Sequence, residues 1–238
     1  DWLEETKLEV QADGAEAVSE EAAVLYSDWK RVSNGHEGRG GNGTIASPRI
    51  RDKHPLADLL STEGFIHLGS ALFNRSWLEQ VDGFDEECWL IEDVHLHLRL
   101  AMAGGRFVHV GTDQPVFCYR QREEGSLASE NQRAFIEGCL RNARMVERYA
   151  RSHDQIDGEL RAQLVRVYFQ GTRYYASRDW GRFKEVWQWI RRLDGSALPE
   201  RPAHLRAVAR MVGYPAAEKV AISYRRLKAT LQNALPLL

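Results

Sequence analysis

Cysteine, proline, long apolar runs and an excess of either charge are all scarce in this chain, and each scarcity excludes something. Three cysteines, Cys88, Cys118 and Cys139, among 238 residues are too few and too scattered for a disulfide framework, and no Cys-x-x-Cys pair supplies a zinc or redox site. A reducing cytoplasm is the default expectation. Seven prolines and the absence of low-complexity tracts argue against a disordered chain. No apolar stretch approaches the roughly 18 residues that a membrane-spanning helix requires, and no cationic leader precedes an apolar core. With 32 Lys and Arg against 34 Asp and Glu the formal net charge is −2, which gives no general pull toward nucleic acid. The first residue is Asp1 rather than Met, so the chain is expected to be a piece of something longer.

What is present suits a globular protein with a sizeable core: 43% of the residues are hydrophobic and 28% charged, at a length that fits one large or two modest domains. Residues 2–22 have a helix-favouring composition broken at Asp13-Gly14. The apolar run from Ala23 through Trp29 reads as a buried strand. Residues 33–47 hold five glycines and predict a mobile loop. A strand, a close approach at Gly69 and a short helix from Arg75 to Val81 are expected between residues 65 and 81. From Ile91 to Ala103 the apolar residues alternate, yet Glu92-Asp93 at one end and Gly104-Gly105 at the other are start and stop chemistry for a buried helix. Strands are expected at residues 106–110 and 115–120. Beyond Ser129 the pattern is helical throughout, over about 129–151, 156–178, 181–193, 201–211 and 215–233. The expected class is therefore α/β to about residue 128, followed by an all-helical region over 129–238, with no repeat period that would make a solenoid.

Chemistry concentrates in one block: Gly83-Phe84-Asp85-Glu86, then Glu92-Asp93, then Leu98-Arg99-Leu100-Ala101 and Ala103-Gly104-Gly105-Arg106. An acidic first turn commonly does no more than cap a helix. A carboxylate there also has the positive end of the helix dipole behind it, which favours its ionised, proton-accepting form. His95 and His97 invite a metal reading. Two residues apart on a helix they point about 200° apart and cannot share one ion, so packing or surface roles are expected.

The block as a whole resembles the family 2 inverting glycosyltransferases of the GT-A fold, which carry a Gly-Gly-Phe-Asp-Glu turn followed by Glu-Asp at the head of such a helix. Asp82 stands where the family has its first glycine. Asp1-Trp2-Leu3 resembles the end of the family's Asp-x-Asp metal motif, residues 24–28 the strand that follows, Gly69 through Arg75 the segment on the acceptor side of the cleft, and Tyr119-Arg120 with Gly125-Ser126 the segment closing over the diphosphate. The resemblance covers residues 1 to about 128, the C-terminal part of a GT-A domain, and leaves 129–238 as a helical extension.

What it implies is an inverting transfer of a sugar from a nucleotide-sugar donor to an acceptor hydroxyl, in cell-surface polysaccharide or glycolipid synthesis. Asp93 is then the catalytic base with Glu92 beside it, and Asp1 a ligand of a divalent cation, manganese or magnesium. Gly69, Asp85, Trp89, Arg120 and Arg122 contact substrate. Arg122 stands where many relatives have a histidine; a guanidinium cannot bind a cation but pairs with phosphate. No Gln-x-x-Arg-Trp string occurs, so single rather than processive transfers are expected. Trp29, Trp77 and Phe84 are further aromatics able to stack on a sugar, with core packing the default for each. Donor-binding strands would precede Asp1, so the chain alone is expected to bind nucleotide weakly and to be inactive. The rival reading is a non-catalytic binding or scaffold module whose helical tail recruits a partner. From Arg201 to Leu238 seven cationic residues face one acidic residue, Glu218, with apolar residues between them, which suits peripheral contact with anionic lipid at the inner face of the cell membrane.

Overall fold

The computed structural model describes residues 2–3, 7, 22–33, 43–111, 114–121, 125–200 and 202–234. It is a mixed α/β structure with a helical C-terminal region, divided into two compact units, Asp1–Leu164 and Val165–Leu238.

The first unit is built on two sheets. In one, β2 (Ala22–Tyr26) lies between β5 (Ala71–Phe73), to which it is antiparallel, and β6 (Arg106–His109), to which it is parallel. All five β2 residues are buried, as expected of a central strand covered on both faces. In the other, β1 (Trp2–Leu3), β7 (Phe117–Gln121), β3 (Trp29–Ser33) and β4 (Gly43–Ala46) lie side by side in that order, with β3 and β7 parallel. The strand expected from Ala23 through Trp29 is thus two strands of different sheets. The chain leaves the first sheet at Ser27, whose N–H donates to the Ser70 carbonyl. At Asp28 it turns, the carboxylate taking His109 Nε2 at 2.7 Å and Arg49 Nη1 at 3.2 Å.

Two further expectations are corrected here. Trp2–Leu3 is a strand paired with Phe117 and Cys118 rather than a helix. Gly43–Ala46, assigned to the loop, is a strand on β3. Backbone pairing decides against composition: a side chain on Gly43 would lie 2.3 Å from the Arg31 carbonyl, so glycine is what lets β4 close on β3. The rest of the expected loop, residues 34–42, and residues 8–21 lie outside the described residues.

Helices complete the first unit: α1 (Pro55–Leu59), α2 (Arg75–Gln80), α3 (Glu92–Met102), α4 (Leu127–Glu130), α5 (Gln132–Ser152) and the beginning of α6 (Gly158–Tyr175). In α3 the alternating apolar pattern resolves as a helix whose His95, Leu96, His97, Leu98 and Leu100 are all buried. The step in composition at residue 128 marks the onset of the helices, but the compact unit runs on to Leu164, because α5 packs against α3.

The second unit comprises the rest of α6, α7 (Trp180–Leu193), α8 (Ala203–Val212) and α9 (Tyr214–Ala234). Tyr214 is its hub, with Trp187, Phe169 and Phe183 rings at 5.3, 5.4 and 5.6 Å and the Thr172 hydroxyl 3.2 Å from its own. Asp179 caps α7 by accepting from the Arg182 N–H, and Gly213, at φ of 81°, joins α8 to α9. Among the described residues no helix is long and apolar enough to cross a membrane.

Candidate active site

The site grows from the turn that delivers the chain to α3. Asp82 and Gly83 both have φ of 58°, the left-handed region where glycine is favoured and where Asp is among the better-tolerated alternatives. Asp82 is thereby accommodated in this turn. Arg99, one turn from the end of α3, reaches back to donate to the Gly83 carbonyl at 2.9 Å and to the Val81 carbonyl, tying the turn to the helix it precedes.

Ile91, the residue before Glu92, has φ of 60° and ψ of 31°. For a β-branched residue this is a genuine outlier, costing on the order of 1–3 kcal/mol. The strained residue aims the first turn of α3, where Glu92 and Asp93 lie with no side-chain cap from Ile91.

Asp93 is half-buried, and its Oδ1 accepts from the Val94 N–H at 2.7 Å. Burial pushes its carboxyl up to about 6; the Val94 hydrogen bond opposes the rise and the neighbouring Glu92 charge adds to it. Lost hydration works against the ionisation that the helix terminus favours.

The other expected substrate contacts divide. Trp89 is 57% exposed and Phe84 49% exposed, so two aromatic faces stand open on the segment that leads into Asp93. Trp77 is half-buried. Trp29 is buried, its indole edge-on to Phe65 and Tyr119, so it is a packing residue. Gly69 is a close approach, as expected: a Cβ there would lie 2.3–2.6 Å from the Phe117 ring. That ring stacks on His67 at 4.4 Å, and His67 Nδ1 in turn accepts from the Gly69 N–H. Arg120 is exposed on β7. Asp1 and Arg122 lie outside the described residues.

Asp85 is engaged within the turn, accepting from the Glu87 N–H at 2.9 Å and lying 3.4 Å from His95 Nε2. The other nitrogen of His95 is 2.7 Å from Asn142 Oδ1 on α5. The two histidines are apart, as their spacing requires: His97 stacks on Phe73, and burial pushes it down to about 3, keeping it neutral. Asn142 is a polar residue beside the site that local sequence pattern does not signal, since its partner His95 lies 47 residues away.

Among the described residues no group of three or more His, Cys, Asp or Glu side chains is placed to hold a metal ion. Asp1, the residue expected to hold a cation, lies outside the described residues. Two open cavities of the first unit are lined elsewhere. One of about 570 Å³ lies by His54, Asp157 and Tyr149, the other of about 380 Å³ by Trp29, Arg31 and Phe65; neither includes Glu92 or Asp93 in its lining. Compared with protein-family models, curated proteins and solved structures, the chain matches none.

Proposed function

We propose that the protein is an inverting, non-processive glycosyltransferase of the GT-A type and that Asp93 is its general base. The observation that carries this reading is the Asp93 carboxyl, set by a strained residue into the first turn of α3 and raised by burial to about 6. Such a group is mostly ionised at neutral pH yet holds a proton far better than an exposed carboxylate does, the balance that general-base catalysis requires. The acceptor hydroxyl gives its proton to Asp93 while its oxygen bonds to the anomeric carbon. The bond to the nucleoside diphosphate breaks on the opposite face, its electron pair leaving with the diphosphate, and the configuration inverts. Trp89 and Phe84, open beside this turn, offer apolar surface to a pyranose ring. The acceptor is a saccharide, free or lipid-linked.

A peripheral membrane contact through the C-terminal helices belongs to the same proposal. Met211, Val212, Val220, Tyr224 and Leu227 are exposed, and Arg206 and Arg210 are exposed beside them in sequence with no ion pair among the described residues. Apolar side chains among unpaired cations are the composition that binds anionic lipid.

The test is Asp93→Asn in the full-length protein, assayed for sugar transfer from uridine- and guanosine-diphosphate sugars. A loss on the order of a hundredfold or more in turnover is expected with the fold retained. A loss below threefold in a folded variant removes the assignment and favours a scaffold whose carboxylates only cap a helix.

A further inference from the structure

Helix α5 lies outside the block that carries the glycosyltransferase resemblance, yet it touches the segment leading to Asp93 at three places. Gly138 packs on the strained residue itself: a Cβ at this position would lie 3.0 and 3.1 Å from Ile91 Cδ1 and Cγ1 and 3.4 Å from the Leu90 carbonyl. A glycine inside a 21-residue helix weakens the helix, and this contact is what makes it useful there. One turn on, Arg141 Nη1 donates to the Glu87 carbonyl at 3.4 Å. Next to it Asn142, fully buried, meets His95 Nδ1 at 2.7 Å, and His95 passes the contact to Asp85 through Nε2.

These contacts bracket the Asp93 carboxyl in sequence, with Asp85, Glu87, Leu90 and Ile91 before it and His95 after it. Left-handed backbone at a β-branched residue persists only where the surroundings over-determine it, and α5 supplies those surroundings. We infer that α5 is the positioning element of the site: Gly138 and Asn142 hold Ile91 and His95 so that the Asp93 carboxyl stays half-buried at the head of α3. Neither residue touches the reacting atoms. Asn142 Nδ2 has no partner among the described residues, so the amide is held by His95 alone. The inference takes its functional meaning from the base assignment above, but its geometry is tested without it.

The test follows the Asp93 carboxyl carbon by NMR titration in the chain itself, with thermal melting as the check on folding. Gly138→Val should push Ile91 aside, expose the carboxyl to water and lower its midpoint by roughly one pH unit, away from the raised value that burial gives it beside Glu92. Ile91→Ala removes as many carbons as that substitution adds, so Gly138→Val with Ile91→Ala should restore the midpoint to within a few tenths of a unit, which general damage to α5 would not allow. Asn142→Ala provides the second approach, freeing His95 and moving the midpoint in the same direction. In the full-length protein the single variants should lose about tenfold in turnover with the Michaelis constant for donor unchanged, and the double variant should recover it. An Asp93 midpoint unmoved in both folded single variants overturns the inference whatever the activity shows. Full transfer by Asp93→Asn removes the base assignment and leaves the NMR result to judge the geometry.

Discussion

Burial of the Asp93 carboxyl bears on the proposed base role and on stability with opposite signs. A base works only when unprotonated, so kcat/KM should rise with pH through about 6 and level off above it. A pH profile flat from 4.5 to 8 would contradict Asp93 as the base. For stability the folded carboxyl binds its proton more tightly than the unfolded one, whose ordinary value is about 3.9. The native state is therefore favoured most below about pH 4, and that advantage is lost as pH rises through 6. Asp93→Asn should accordingly stabilise the protein by about 1–3 kcal/mol at pH 7 and by nearly nothing at pH 4; urea unfolding at the two pH values measures the difference. Gly69 makes a simpler case. The Cβ of Gly69→Ala would enter the Phe117 ring, which cannot swing away because His67 stacks on it. A loss of about 1–3 kcal/mol is expected, together with a change in the near-ultraviolet circular dichroism of the aromatic cluster.

Elements held by local chemistry respond to local changes. The side chain of Asp179 caps α7, and Asp179→Ala should cost about 1 kcal/mol in unfolding free energy; an unchanged unfolding midpoint would show that Arg182 finds another partner. Helix α3, between Glu92-Asp93 and Gly104-Gly105, was legible in the sequence because start and stop signals lie within a few residues of the helix they bound. The division between β2 and β3 was not, because the apolar run crosses Ser27-Asp28 without pause and the turn is fixed by His109 and Ser70 from far along the chain. β4 was hidden by its glycine-rich surroundings. The acidic first turn at Glu92-Asp93 was legible, but the upward push on the Asp93 carboxyl was not, since a helix terminus can be read from sequence and lost hydration cannot. The support from Gly138 and Asn142 has no local pattern at all: a glycine within a helix reads as a blemish until Ile91 is seen against it.

The proposed membrane contact is tested on the whole chain in solution. Wild-type protein should co-sediment with vesicles containing phosphatidylglycerol at low salt, weakly at raised salt, and hardly with phosphatidylcholine alone, since each basic residue near an anionic surface contributes about 1 kcal/mol and salt screens it. Removing residues 201–238 is a poor test, because Tyr214 and Ala217 are buried and their loss opens the second unit. Met211→Glu with Leu227→Glu alters only exposed positions, Met211 being 86% exposed, and should abolish sedimentation while leaving the melting temperature within a few degrees. Unchanged lipid binding by this variant would rule out the apolar contact. The pairing of β1 with β7 carries a consequence for synthesis. Trp2 lies against Cys118, and at 5–20 residues per second the ribosome separates these partners by on the order of ten seconds. The outer edge of β7's sheet thus cannot close until the middle of the chain has emerged, and such non-local pairing slows folding.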